Sequence, residues 1–326
     1  MSPVSNDTSP FVISFRRTVK NYGSKIIGPV DLEVKKGQVV GFLGPNGSGK
    51  TTCIRLMLGL IRASSGSVRV NGYDPISKHV NALRHVAYSP ELPNLQTFLT
   101  PTELLSLVSH ELGFAGSNDS RRDEIRRVLE LVGVLEYADT KIAKLSKGMV
   151  QRLSVAQAMM GKPEILILDE PMIGLDPAGS AHFREVFRDF SVRQGGTVFM
   201  SSHIMSEVES LCTSVAIIHG GKILYRGAVS DVIRDVLDYS VVYLEATGLT
   251  ESTLNKIKEL GNISKITANG DSVEIVIQGH TDIRPEVSEI VVKSGAKLFA
   301  IHQADNMLER AYIEALYKNG RGTRPI

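Results

Sequence analysis

The chain predicts an α/β fold built on a largely parallel sheet, followed by a smaller α+β domain. Three observations carry this. Over the first 230 residues, short β-rich runs alternate with helical patterns, the signature of βαβ units. Two of these runs, Val39–Leu43 and Ile165–Leu168, are almost wholly apolar, as strands covered on both faces must be. From about Asp238 the pattern becomes β-α-β-β-α-β, the order of a ferredoxin-like split unit.

Taken in order, the expected strands of the first part are Val12–Arg16, Val39–Leu43, Val68–Val70, Val86–Ser89, Ile165–Leu168, Thr197–Ser201 and Val215–His219. Thr100-Pro101-Thr102-Glu103 opens a helix with an N-cap, a proline at the first helical position and a reciprocal glutamate. Leu104, Leu105, Leu107 and Val108 then form its apolar stripe. A second helix runs from about Ser120 through Leu131, where Ile125, Val128, Leu129 and Val132 recur at helical spacing. Its Arg121, Arg122, Arg126 and Arg127 are interleaved with Asp123, Glu124 and Glu130, which reads as a solvated face. In the second part, Ser240–Glu245, Ile263–Ala268, Ser272–Gln278 and Lys297–Ile301 read as strands. Helical patterns cover Glu251–Leu260 and Pro285–Ser294, and Met307–Tyr317 closes the chain. Asn269-Gly270-Asp271 is a hairpin turn signal.

Composition narrows the function. With 42% hydrophobic and 22% charged residues, the chain is neither disordered nor a disulfide scaffold. No stretch free of Asp, Glu, Lys and Arg exceeds 13 residues, against the ~20 apolar residues a membrane-spanning helix requires. The first 25 residues lack the apolar core of a signal peptide, so a cytoplasmic protein is expected. A net charge of +2 gives no reason to expect nucleic-acid binding. Cys53 and Cys212 read as small packing residues.

The chemistry is concentrated in a few short segments. Gly44-Pro45-Asn46-Gly47-Ser48-Gly49-Lys50-Thr51, with Thr52 after it, follows an apolar strand and precedes a helical run beginning at Thr51, the context that marks a phosphate-binding P-loop. Its glycines turn backbone N–H groups toward phosphates, and the helix N-terminus adds its positive end. Lys50 neutralises phosphate charge, and the Thr51 hydroxyl is suited to Mg²⁺. At the end of the second apolar strand stand Asp169, placed to hold Mg²⁺ through water, and Glu170, placed to deprotonate an attacking water. Leu145-Ser146-Lys147-Gly148-Met149 opens a helix through Met160 and makes a second phosphate-binding surface. One nucleotide already has its own surface at the P-loop. A second is most useful on a partner's nucleotide.

The order of these elements resembles the ATP-binding subunits of ABC transporters, over about residues 10–230. In that family's terms, Gly44–Thr51 is similar to the Walker A motif and Ile165–Glu170 to Walker B. Leu145–Met149 resembles the signature, Gly174-Leu175-Asp176 the D-loop, and His203 the switch histidine that contacts the γ-phosphate. Tyr22, in Asn21-Tyr22-Gly23, falls where the family stacks an aromatic ring on adenine. The resemblance implies a P-loop NTPase domain over 1–238, with an ABC-type helical subdomain at about 95–160, and an accessory or regulatory domain over 239–326. It also implies ATP and Mg²⁺ as ligands and hydrolysis of ATP. Two such subunits, as a homodimer or a heterodimer, would associate head to tail, each sandwiching ATP between its own P-loop and the partner's counterparts of Ser146 and Gly148. A separate polytopic permease would hold the dimer at the inner face of the membrane, docking a helix in a groove formed by the segment 91–113, in a transporter of the type-2 exporter group.

The sequence departs from the family pattern in places. Lys147 and Met149 replace the third and fifth signature residues, leaving Ser146 and Gly148 in place. Glu91 stands where the family's Mg²⁺-contacting glutamine is expected, and a carboxylate also ligates Mg²⁺. Met172 and Ile173 replace the small polar pair before Gly174, leaving Asp176. The alternative from another class is a soluble ATPase of the same superfamily acting in translation or DNA repair. Against it, the chain has a single cassette, and the 96 residues from Lys50 to Ser146 leave no room for a long coiled coil.

Overall fold

A computed structural model describes residues 10–113 and 117–318. The ends of the two expected domains, and 114–116 within the expected helical stretch, lie outside the described residues. The chain divides into two units, Met1–Arg226 and Gly227–Ile326.

The apolar runs become the centre of the first unit. Its elements are β1 (Phe11–Asn21), β2 (Ile26–Lys35), β3 (Val39–Leu43), α1 (Lys50–Met57), β4 (Ser65–Val70), α2 (His79–Leu83), β5 (Val86–Ser89), α3 (Pro101–Glu111), α4 (Asn118–Leu131), α5 (Lys147–Met159), β6 (Ile165–Asp169), α6 (Pro177–Val192), β7 (Thr197–Ser202), α7 (Met205–Leu211), β8 (Ser214–His219) and β9 (Lys222–Ala228). A six-stranded sheet has the order β5-β6-β7-β3-β8-β9, and a three-stranded one the order β2-β1-β4. Strands β5, β6, β7, β3 and β8 pair in parallel. Every residue of β3, β6 and β7 is buried, as parallel strands covered on both faces are. Each large side chain sealed there, such as Phe42 or Phe199, contributes about 2 kcal/mol of hydrophobic stabilisation. Because β5, β6, β7 and β3 are parallel neighbours, the segments that follow them all emerge at one edge. Such C-terminal edges are where α/β sheets hold ligands.

The helical stretch is positioned by local signals. Thr100 caps α3 by accepting the Glu103 N–H at 3.2 Å, while Glu103 Oε2 accepts the Thr100 N–H at 2.7 Å. The buried Ser89 and Ser154 hydroxyls, 2.8 Å apart, tie β5 to α5.

The second unit contains α8 (Val229–Val236), β10 (Tyr239–Thr247), α9 (Glu251–Lys258), β11 (Ile263–Asn269), β12 (Ser272–Gln278), α10 (Arg284–Lys293), β13 (Lys297–Gln303) and α11 (Met307–Lys318). Its antiparallel sheet has the order β11-β12-β10-β13, the ferredoxin-like arrangement. Val287 and Val291 of α10 and Ile257 of α9 pack on Val242, Leu244, Ile275 and Ile277 of the sheet. The division falls at Arg226, earlier than the expected 238, because α8 packs on α11 and belongs with the second unit.

Candidate functional site

The loop between β3 and α1 opens a cavity of about 240 Å³, lined by Pro45, Asn46, Gly47, Gly49, Lys50, Thr51, Thr52, Glu91, Asp169, Glu170 and Lys25. Gly49 adopts φ +117°, and a Cβ there would lie 2.9 Å from Ile27. Glycine alone suits that backbone. As the N-cap of α1 it offers no side-chain acceptor, so the first-turn N–H groups are left for a ligand. Gly44 is equally constrained: a Cβ would meet the Ile218 carbonyl oxygen at 2.2 Å. The Ser48 hydroxyl is buried without a hydrogen-bond partner. Uncapped N–H groups, a lysine and an unpaired hydroxyl in one loop fit a polyphosphate.

Lys50 is buried. It donates to the Gly44 carbonyl at 2.6 Å and pairs with Glu170 Oε1 at 3.1 Å. The other Glu170 oxygen, Oε2, accepts from His203 Nδ1 at 2.8 Å. Glu170 is itself in the left-handed region, at φ +50°, where few non-glycine residues settle. Asp169 and Glu170 are almost fully buried. Asp169, Thr51 and Glu91 supply only oxygen donors to the cavity, which fits a hard cation such as Mg²⁺. Among the described residues, no group of three His, Cys, Asp or Glu side chains is arranged to hold a metal without further ligands. Mg²⁺ commonly completes its shell with water and substrate phosphate oxygens.

Beyond His203, Ser202 donates to Glu207 Oε2 at 2.9 Å and accepts the Ile204 N–H at 3.0 Å. Burial, with the charge of Glu170 adding to it, raises the Glu207 carboxyl above its usual value, against the lowering effect of the Ser202 bond.

The signature residues lie elsewhere. Ser146 caps α5 by accepting the Met149 N–H at 3.3 Å. With Lys147, Gly148, Met149, Arg152, Gly174, Leu175 and Asp176 it lines a second cavity of about 500 Å³. Asp176 caps α6 by accepting the Gly179 N–H at 2.9 Å, and Arg152 stands 3.7 Å from it. None of Ser146, Gly148 and Asp176 lines the P-loop cavity of the same chain.

Tyr22 is half exposed beside Lys20, whose Nζ lies 5.3 Å from the ring centre, and it does not line the P-loop cavity. Lys25, absent from the motifs of the sequence, also lines that cavity and donates to the Gly47 carbonyl. A lysine between two strands carries no motif; only its distance of 22 residues from Gly47, the chain length of a strand that folds back, hints at it.

A glycine loop at the edge of a parallel sheet, holding a buried lysine against an acidic strand end, defines a P-loop nucleotide-binding domain. Comparison with known proteins sharpens this. The ABC transporter family model matches residues 27–173. The bacitracin transport ATP-binding protein of Bacillus licheniformis is 32% identical over 317 residues, 96% of this chain and 98% of its own. The linearmycin resistance ATP-binding protein of Bacillus subtilis is 31% identical, over 90% of this chain and 94% of its own. A solved ATP-binding subunit of an ABC transporter superposes with a TM-score of 0.62 at 28% identity, covering 69% of this chain and 92% of that one. The chain belongs to the ATP-binding proteins of ABC transporters.

Proposed function

We propose that this chain hydrolyses ATP as one half of a head-to-tail dimer that drives a separate membrane permease, in the exporting direction. The observation that carries the reading is the separation of two phosphate-suited surfaces. The P-loop cavity has the charges for a triphosphate, and Ser146 with Gly148 lines another cavity on the same unit. Each surface is completed by the opposite surface of a second copy.

In this reading, Lys50 and the uncapped N–H groups of α1 hold the phosphates. Thr51, Asp169 and Glu91 would hold Mg²⁺, which neutralises charge developing on the phosphates. Glu170 takes the proton of the attacking water, a general-base role. His203, bound to the Glu170 oxygen that Lys50 does not hold, contacts the γ-phosphate, while Tyr22 stacks on adenine. Asp176 contributes across the dimer.

Several apolar side chains of the segment 91–113 support docking to a membrane subunit. Leu92, Phe98, Leu107 and Leu112 are each more than half exposed. Among the described residues, no helix is long and apolar enough to cross a membrane, so the permease would be another chain. The names of the bacitracin-transport and linearmycin-resistance relatives support export.

The test is Glu170→Gln with ATP and Mg²⁺. This variant keeps Lys50, Thr51 and Asp169 but loses the base, so ATP should hold two chains together, seen as a shift from monomer to dimer in solution size. Nucleotide binding without that shift refutes the shared site.

A further inference from the structure

We propose that Ser201 is a positioning residue for hydrolysis, one that sets the backbone on which Glu170 is aimed. The inference rests on the reading of Glu170 as the base.

Ser201 is completely buried, at the C-terminal end of β7, directly opposite Asp169 in the β6–β7 register. Its hydroxyl does two things at once. It donates to Asp169 Oδ1 at 2.5 Å and accepts the Glu170 N–H at 2.9 Å. A hydroxyl has one donor and spare acceptor lone pairs, so a single oxygen satisfies both neighbours.

This matters because of where the Glu170 backbone lies. A glutamate at φ +50° sits in a sparsely populated region and stays there only when its surroundings fix it. The Glu170 N–H is within a buried peptide, and its partner is the Ser201 oxygen. Without that acceptor, the N–H is left unsatisfied away from water, and the peptide gains by turning toward another partner. The carboxylate turns with it. Both of its oxygens are engaged, Oε1 to Lys50 at 3.1 Å and Oε2 to His203 at 2.8 Å, so a small rotation disturbs both contacts. A displacement of about 1 Å at a reacting group can cost about 100-fold in rate. Serine is thus doing at position 201 what neither alanine nor valine, equally at home in a buried strand, could do.

The experiment compares Ser201→Ala and Ser201→Thr in the full chain, with and without Glu170→Gln. Three quantities are measured: melting temperature, affinity for a fluorescent ATP analogue in EDTA, and steady-state kcat and KM with ATP and Mg²⁺. The expected result is that Ser201→Ala binds the analogue within about threefold of wild type, since Lys50 and the P-loop are untouched, while kcat falls about 10- to 100-fold with little change in KM. Ser201→Thr, which keeps the hydroxyl, restores most of kcat. In the Glu170→Gln background, Ser201→Ala lowers the residual rate by less than about twofold, because a residue acting through Glu170 has nothing left to position.

A Ser201→Ala protein that melts as wild type and keeps kcat within about twofold overturns the proposal. So does an equal loss in the Glu170→Gln background, which would place the effect at Asp169 instead. If threonine is too large for the site, its melting temperature drops, and the double-variant comparison decides alone. An active Glu170→Gln protein would instead remove the underlying reading of the base, a result distinct from either.

Discussion

Two separate cavities on one chain make a quantitative prediction about mixtures. Take one chain carrying Lys50→Ala and another carrying Ser146→Arg. The first loses the cation of the P-loop and leaves the buried Glu170 Oε1 without its partner, a loss of about 3–5 kcal/mol when one member of a buried pair is removed. Its melting temperature is therefore measured first. The second places a bulky cation at the N-cap of α5, in the wall of the 500 Å³ cavity, and removes the bond to the Met149 N–H. Hydrolysis depends on charges fixed around the γ-phosphate, so each parent should fall about 100- to 1000-fold. Random pairing makes about half the dimers mixed. In each mixed dimer one site carries both lesions, and the other joins an intact P-loop to an intact signature. With one working site of two, ATPase activity recovers to about a quarter of wild type if the sites act independently. The assay is phosphate release across mixing ratios, with mixed dimers counted by two affinity tags. If Ser146→Arg alone hydrolyses ATP at the wild-type rate, the signature does not contribute and the reasoning fails. If mixed dimers form without recovery, independence of the sites fails.

Shortening the chain to end at Ala228 keeps β9 and every motif, so the affinity for fluorescent ATP stays within about twofold of the full chain; a large loss in a folded fragment would show that the second unit helps build the site. Glu207→Gln should raise the melting temperature at pH 8 and not at pH 4. Burial raises the Glu207 pKa above its unfolded value, so its protonated form favours the fold at low pH and that advantage is lost as pH rises through the folded value; an equal shift at both pH values would count against this. Thr100→Ala removes the acceptor of the Glu103 N–H and half of the capping box, so the fold should lose about 1 kcal/mol in urea unfolding, with no change expected in ATP affinity.

How much of this was legible depended on how local the cause was. The P-loop is readable because its backbone demands glycine at fixed positions, as Gly44 and Gly49 show. The capping box of α3 is readable because Thr100 and Glu103 satisfy each other within one turn. Strand β2 is absent from the expected strands although Val30-Asp31-Leu32-Glu33-Val34-Lys35 alternates strictly between buried and exposed; only its start, at Gly28-Pro29, breaks the period. Strand β9 is at best half buried and shows no clean period. The packing of α8 on α11 is not legible either, because Val229, Val232 and Val236 make an ordinary amphipathic stripe whose partner helix lies about 75 residues further on. Ser201 was invisible for a similar reason. Its contact with Asp169 follows from β6 and β7 lying side by side, which is a property of strand order and not of either segment.

The charges around Lys50 link these details to the chemistry. Lys50 Nζ is held by a carbonyl and by one oxygen of Glu170, while the other oxygen is held by His203. Lys50, Glu170 and His203, proposed as the cation for the phosphates, the base for the water and the γ-phosphate contact, therefore form one connected group, buried at Lys50 and Glu170 and partly exposed at His203. In the proposed mechanism, a triphosphate entering the loop would compete with Glu170 for Lys50, and compete well because it carries more negative charge than one carboxylate. The exchange frees Glu170 Oε1 without moving the residue, provided the backbone is fixed. That fixing is what the Glu170 N–H to Ser201 bond supplies. On the proposed roles, phosphate binding and release of the base would be the same event, with Glu170 freed only where a phosphate takes its place on Lys50.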